Sequence, residues 1–153
     1  MKLALIRSLI VISLSFAEVS GDVVSDYLDA MGENMLYERS GNEFMLTAAI
    51  DDSTLVPYMY ILVDPEMEGC LVVALTPGLV PESGPERTAA LETLTELNWS
   101  NTWVKYASDP ATGEVSAMYT FSTENGLGQE AFSVMLNLLL ATVDEDWNVL
   151  SSL

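Results

Sequence analysis

Apolar residues recur along the chain with two different periods. Val24, Leu28, Met31 and Met35 fall at helical spacing, with Asp22 or Ser25 placed to cap the helix they predict. Residues 36–39 read as a short strand, and Ser40-Gly41-Asn42 as a turn. Phe44, Leu46, Ala48 and Ile50 then alternate with other residues, the pattern of a half-buried strand, until Asp51-Asp52-Ser53 breaks it. Residues 58–63 are a dense run of β-formers stopped by Asp64-Pro65, residues 66–69 are a turn, and residues 70–75 are a second apolar run. Connections this short predict an antiparallel meander.

A Pro/Gly-rich loop is expected over residues 76–84, and Pro85 suits the first turn of a second helix striped by Ala90, Leu91, Leu94 and Leu97. Residues 102–108 and 114–121 flank the turn Asp109-Pro110-Ala111-Thr112-Gly113 as a hairpin. Phe132, Met135, Leu136, Leu139, Leu140 and Val143 mark a last helix, followed by an acidic tail in which Trp147 and Leu150 are candidate anchors. The order α-β-β-β-β-α-β-β-α predicts the α+β class with an antiparallel sheet.

Two strands carry more apolar residues than one buried face requires. Tyr58, Tyr60 and Leu62 point one way and Met59, Ile61 and Val63 the other; Cys70, Val72 and Ala74 likewise oppose Leu71, Val73 and Leu75. An antiparallel sheet with one wet face should alternate apolar with polar. Two explanations stand: an interaction face, or a second cover from sheet curvature, loops or residues 1–17. Trp99, Trp103, Tyr106 and Tyr119 form a second candidate contact group, because Trp and Tyr bury much area with few torsions to freeze.

The chain has 153 residues, enough for one domain with a real core. It carries 23 Asp+Glu, 5 Lys+Arg and no His, for a formal net charge of −18. Such a surface repels phosphate backbones and anionic membranes, so no nucleic-acid partner is expected. Acidity of this degree serves solubility, a saline habitat or a basic partner. Without His, Ser/His/Asp and Cys/His catalysis and imidazole metal sites are excluded. Cys70 is the single cysteine, so no internal disulfide forms, and its apolar neighbours predict a buried hydrophobe.

Three motifs fail on context. Gly126-Leu127-Gly128-Gln129-Glu130-Ala131 fits G-x-G-x-x-A, but the parallel strand a dinucleotide site needs does not follow. Asp144-Glu145-Asp146 opens like a calcium loop, yet position six is Val149 instead of Gly. Asn98-Trp99-Ser100 is a glycosylation sequon that matters only in a eukaryotic secreted chain. No catalytic residue, cofactor or metal is expected.

Residues 1–17 hold Lys2 and Arg7, an apolar stretch over residues 9–17, and Ser15-Phe16-Ala17 spaced like a cleavage site. They read equally as a leader peptide, implying export, or as an N-terminal extension of a cytoplasmic protein. They are too short and polar for a membrane span. The division is therefore residues 1–21 as leader or extension and residues 22–153 as a single domain.

Several stretches resemble the YbjN domain family of bacterial proteins. They are Phe44-Met45-Leu46 in the first long strand, Pro81-Glu82, the Leu97-Asn98-Trp99 step after a helix, Asp109-Pro110, Gly113-Glu114-Val115, and the final helix. The resemblance spans roughly residues 22–150. It implies a fold similar to type III secretion chaperones, which are small acidic proteins, usually homodimers, that bind extended segments of partner proteins. Members of the family are described as sensory transduction regulators, and no catalytic set is established for them. The function expected is a non-enzymatic protein-binding module, chaperone-like or regulatory and homodimeric, that binds a segment of another protein. The alternative is a small enzyme or ligand-binding domain using carboxylates alone, with acid pairs such as Asp51/Asp52 or Glu66/Glu68 in a deep pocket.

Overall fold

The computed structural model describes residues 19–32, 36–49, 55–66, 68–124 and 126–153. The readings for residues 1–17, Met35 and residues 50–53 fall outside them. The elements are α1 (Gly21–Ala30), β1 (Leu36–Ser40), β2 (Glu43–Ala49), β3 (Leu55–Asp64), β4 (Gly69–Leu79), α2 (Pro85–Ser100), β5 (Lys105–Ser108), β6 (Glu114–Ser122) and α3 (Gln129–Leu150). This is the predicted order. All six strands join one antiparallel sheet in the order β1-β2-β3-β4-β6-β5. The single departure from a meander comes from α2, which carries the chain past β6 so that β5 pairs on its outer side.

Register explains what the sheet buries. One cross-strand row runs Tyr37, Leu46, Met59, Ala74, Ala117, Tyr106, and the next runs Arg39, Phe44, Ile61, Val72, Tyr119. Leu46, Met59, Ile61, Ala74 and Ala117 are fully sequestered by helix side chains. The largest contribution comes from α3, 22 residues and about 33 Å long. Its Phe132, Leu136, Leu139, Val143 and Leu150 form one stripe that packs on β4 and β6. Val24 and Leu28 of α1 and Ala90 and Leu94 of α2 complete the same cluster.

α1 begins at Gly21 instead of at Asp22 or Ser25, because its cap comes from elsewhere in the chain. Ser20 occupies the N-cap position without a side-chain bond. The Gly21 amide instead donates to Asn42 Oδ1 at 3.0 Å, from the β1–β2 turn. A Cβ at Gly21 would lie 2.7 Å from both that oxygen and the Gly41 carbonyl, so this approach requires glycine. Gly113 closes the β5–β6 turn at φ +79°, with its Cα edge against the Val80 carbonyl.

Other boundaries differ from the sequence-based expectation as well: β3 begins at Leu55 instead of residue 58 and β5 at Lys105 instead of residue 102. β4 runs through Thr76-Pro77-Gly78 to Leu79, absorbing the proline with a register shift between Leu75 and Leu79. α3 does not give way to a tail after Val143, because Val143, Trp147 and Leu150 continue its inward stripe and Asp144 and Glu145 stay outside.

Phe132→Ala should cost about 3–5 kcal/mol of stability, because its cavity lies at the helix–sheet seam. Trp99→Ala, at a side chain 92% exposed, should change stability by less than about 0.5 kcal/mol. Urea unfolding followed by circular dichroism checks both.

Candidate protein-interaction surface

One residue along from the buried row, the register gives Glu38, Met45, Tyr60, Val73, Met118, Lys105. Beside it lie Glu43, Leu62, Leu71 and Thr120. These side chains point away from the helices. Met45, Tyr60, Leu71, Val73, Leu75 and Met118 are half-buried, while Leu62 is 37% and Leu36 73% exposed. None of them joins the helix-covered core. Among the described residues, therefore, β3 and β4 have one sealed apolar face and one open apolar face.

The open face is ringed by acid at its β1–β3 end. A shallow depression is lined by Glu38, Ser40, Glu43, Met45 and Tyr60, with Arg39 and Phe44 behind them. A second is lined by Ser40, Asn42, Glu43, Leu62, Asp64 and Glu66, with Val63 and Pro65. Both are wide and open. Neither is the deep cleft with two converging acids that a carboxylate enzyme requires. No group of three or more Cys, Asp or Glu among the described residues is placed to hold a metal ion.

The three described bases are all engaged elsewhere. Arg39 pairs with Asp22 at 2.6 Å and lies over the Phe44 ring on the sealed side. Arg87 donates to the Pro81 carbonyl at 2.9 Å. Lys105 donates to the Asn98 carbonyl at 2.8 Å and also to that of Asn101, where a cation favours the end of α2.

The aromatic residues nominated from sequence do not form one cluster. Tyr60 and Leu62 lie on the open face, and the strand places Tyr58 in β3 with its side chain outside the described set. Trp103, 61% exposed, meets Tyr119 edge-on at 6.3 Å, and Tyr119 belongs to the sealed face. Trp99 stands almost fully exposed at the end of α2. Tyr106 departs from expectation: it is 4% exposed, its hydroxyl donates to Asp146 Oδ2 at 2.7 Å, and it is a core residue.

Sequence reasoning missed the clamp around that tyrosine. Asn98 accepts from the Tyr106 amide at 2.6 Å and donates to the Tyr106 carbonyl at 2.9 Å. It thereby pairs with the outer edge of β5 as a neighbouring strand would. Asn101 donates to the same Asp146 oxygen at 3.0 Å, tying the ends of α2, β5 and α3 together. An Asn eight residues ahead of a strand residue is the one signal in the sequence, and it carries no pairing information by itself.

A family model described as "Putative bacterial sensory transduction regulator" matches residues 20–151. The chain belongs to the YbjN family. The crystal structure of YbjN from E. coli superposes with a TM-score of 0.62 at 18% identity, covering 90% of this chain and 93% of that one. The ExsC–ExsE complex gives 0.59 at 20% identity, covering 85% and 92%. The HopA1–SchA chaperone–effector complex gives 0.51 at 15%, covering 84% and 89%. At these identities the likeness establishes the fold, which this YbjN-family chain shares with E. coli YbjN and with proteins of the two complexes. No curated protein matches the sequence. Among the described residues, no helix is long and apolar enough to cross a membrane.

Two buried acids set the alkaline behaviour. Burial pushes the Cys70 thiol up to about 12 from its ordinary 9.0. Burial, then the hydrogen bond and charge of Asp146, then the charge of Glu145, raise Tyr106 well above its ordinary 10.0. Both groups hold their protons more tightly folded than unfolded, so the stability they confer is complete below about pH 9 and is lost as pH rises above it. The urea midpoint should be flat from pH 7 to about pH 9 and fall beyond it, less steeply in Tyr106→Phe. A thiol reagent at pH 8 should leave Cys70 unmodified in the folded protein and label it fully in denaturant.

Proposed function

We propose that this YbjN-family chain is a non-enzymatic protein-binding module, chaperone-like or regulatory, that takes a segment of a partner protein on the open sheet face. The observation that carries the proposal is the row Met45, Tyr60, Val73, Met118, an apolar strip that no described helix covers. Contiguous apolar surface on a water-facing sheet is what an interaction site presents. The ExsC–ExsE and HopA1–SchA structures, each solved as a complex, support binding to another protein. The binding unit in this account begins at Val19 instead of at residue 22, because Val19 is buried in the core and Gly21 opens α1.

Affinity capture from the native host, with partners identified by mass spectrometry, tests this reading when run with face variants. A partner retained by the wild-type chain should be lost from Leu62→Glu and from Val73→Lys, and kept by Glu92→Gln on α2. Retention by both folded face variants would sink the proposal.

The exposed Trp99, with Trp103 nearby in sequence, supports a second element of the proposal, homodimerisation at the far end of α2. Two copies of charge −18 repel, and salt screens that repulsion over about 8 Å at physiological strength. Sedimentation should show association that strengthens with salt and is weakened in Trp99→Ala. A monomer mass at both low and high salt would contradict it.

A further inference from the structure

The charges around the open face restrict what can lie on it. Along Glu38, Met45, Tyr60, Val73, Met118 the acid stands at the β1 end. Glu43, next to Leu62, and Glu66 at the second depression extend it. Neither Glu38 nor Glu43 has an ion-pair partner among the described residues, where the single ion pair is Arg39 with Asp22 on the sealed side. Among the described residues the register puts one base on the face, Lys105, which stands at the opposite edge and is bound to the α2 terminus; Arg39, which also lines the first depression, is held by Asp22. An apolar strip with uncompensated negative charge at one end repels an acidic segment. It would also leave Glu38 and Glu43 without partners under a neutral one, a cost that a neutral occupant cannot offset.

We propose that the open face selects a cationic amphipathic segment, extended, with apolar residues at alternate positions and Lys or Arg continuing that same side at one end, so that its basic side chains meet Glu38 and Glu43 over the Tyr60 ring. This rests on the open face being the binding surface and adds the chemistry of its occupant. In an extended segment successive side chains point to opposite sides, so apolar residues two apart can meet Met45, Val73 and Met118 along the strip. A cation at the β1 end lies beside two carboxylates and an aromatic face, both of which attract it. Opposite charge at this rim also raises the association rate and makes it fall with salt.

Three synthetic peptides of equal length test the chemistry, each with the same alternating apolar residues and with Lys, Gln or Glu at the two positions that continue the apolar side at one end. Binding to the isotope-labelled full-length chain is followed by NMR. The Lys peptide should shift the Met45, Tyr60 and Met118 side chains, and the Glu peptide should not bind. The affinity of the Lys peptide should fall about tenfold in the Glu38→Gln/Glu43→Gln double variant. It should be unchanged in Glu92→Gln/Glu96→Gln on α2, which controls for general attraction to an acidic protein.

Equal binding of the Gln and Lys peptides would overturn the charge selection while leaving the face as a binding surface. Shifts confined to the helices, or no shifts with any peptide, would overturn the surface itself. Contacts from residues 1–18 to Tyr60 and Val73 in the peptide-free chain would mean that the chain fills its own face. Concentration-dependent shifts there would mean that a second copy does. Either result overturns the proposal.

Discussion

Among the described residues three helices pack on a single face of a six-stranded sheet, and everything else described depends on that asymmetry. The seam between α3 and strands β4 and β6 buries Phe132, Leu136 and Leu139 against Val72, Ala74 and Ala117. Strand geometry then fixes the remainder. A residue next to a buried one must point to the opposite side, so Val73 is turned outward because Val72 and Ala74 are turned inward. The pairing of β3 with β4 and of β4 with β6 lines these outward residues up as one strip. A one-residue slip would exchange the two faces, and the sealed core prevents it. The same packing that stabilises the fold therefore leaves Tyr60, Leu62 and Val73 directed at solvent.

The ends of the sheet are held by short polar devices. At one end Asn42 caps α1 and Arg39 bridges to Asp22, so the β1–β2 turn and the first helix are tied together. At the other, Asn98 pairs with the backbone of β5 while Asp146 gathers Tyr106 and Asn101. Arg39 is taken up by the first of these devices, and Arg87 and Lys105 by backbone carbonyls at the two ends of α2, which leaves Glu38 and Glu43 at the rim of the open strip. Extreme acidity is thus not spread evenly in its consequences. On helix surfaces it keeps the protein soluble, whereas beside an uncovered apolar strip it specifies the kind of chain that can approach.

Element order and the two-faced character of β3 and β4 were legible in the sequence, since both follow from local periodicity. Long-range pairing was not. Tyr106 looks like a surface aromatic until the register with Ala117 places it on the sealed side, and that register is set by α2 crossing to the outer edge. Asn98 is visible as a family mark, but its clamp on β5 exists only once the strand is in place. The helix end was misjudged at Val143 because three consecutive acids outweigh, in a local reading, the inward spacing of Trp147 and Leu150. Trp99 and Trp103 were seen as one group with Tyr106 and Tyr119, and of these the structure joins Trp103 with Tyr119.

The central claim is that the strip through Tyr60 and Val73 is open in the isolated protein. Methionine oxidation tests it most directly, because Met45 and Met118 lie on that strip while Met59 is sealed on the opposite face. Dilute full-length protein is treated with peroxide, and the rate at each methionine is read by mass spectrometry. Met45 and Met118 should oxidise rapidly and Met59 slowly. Protection of Met45 and Met118 to the level of Met59 would show that the strip is covered and would contradict the account.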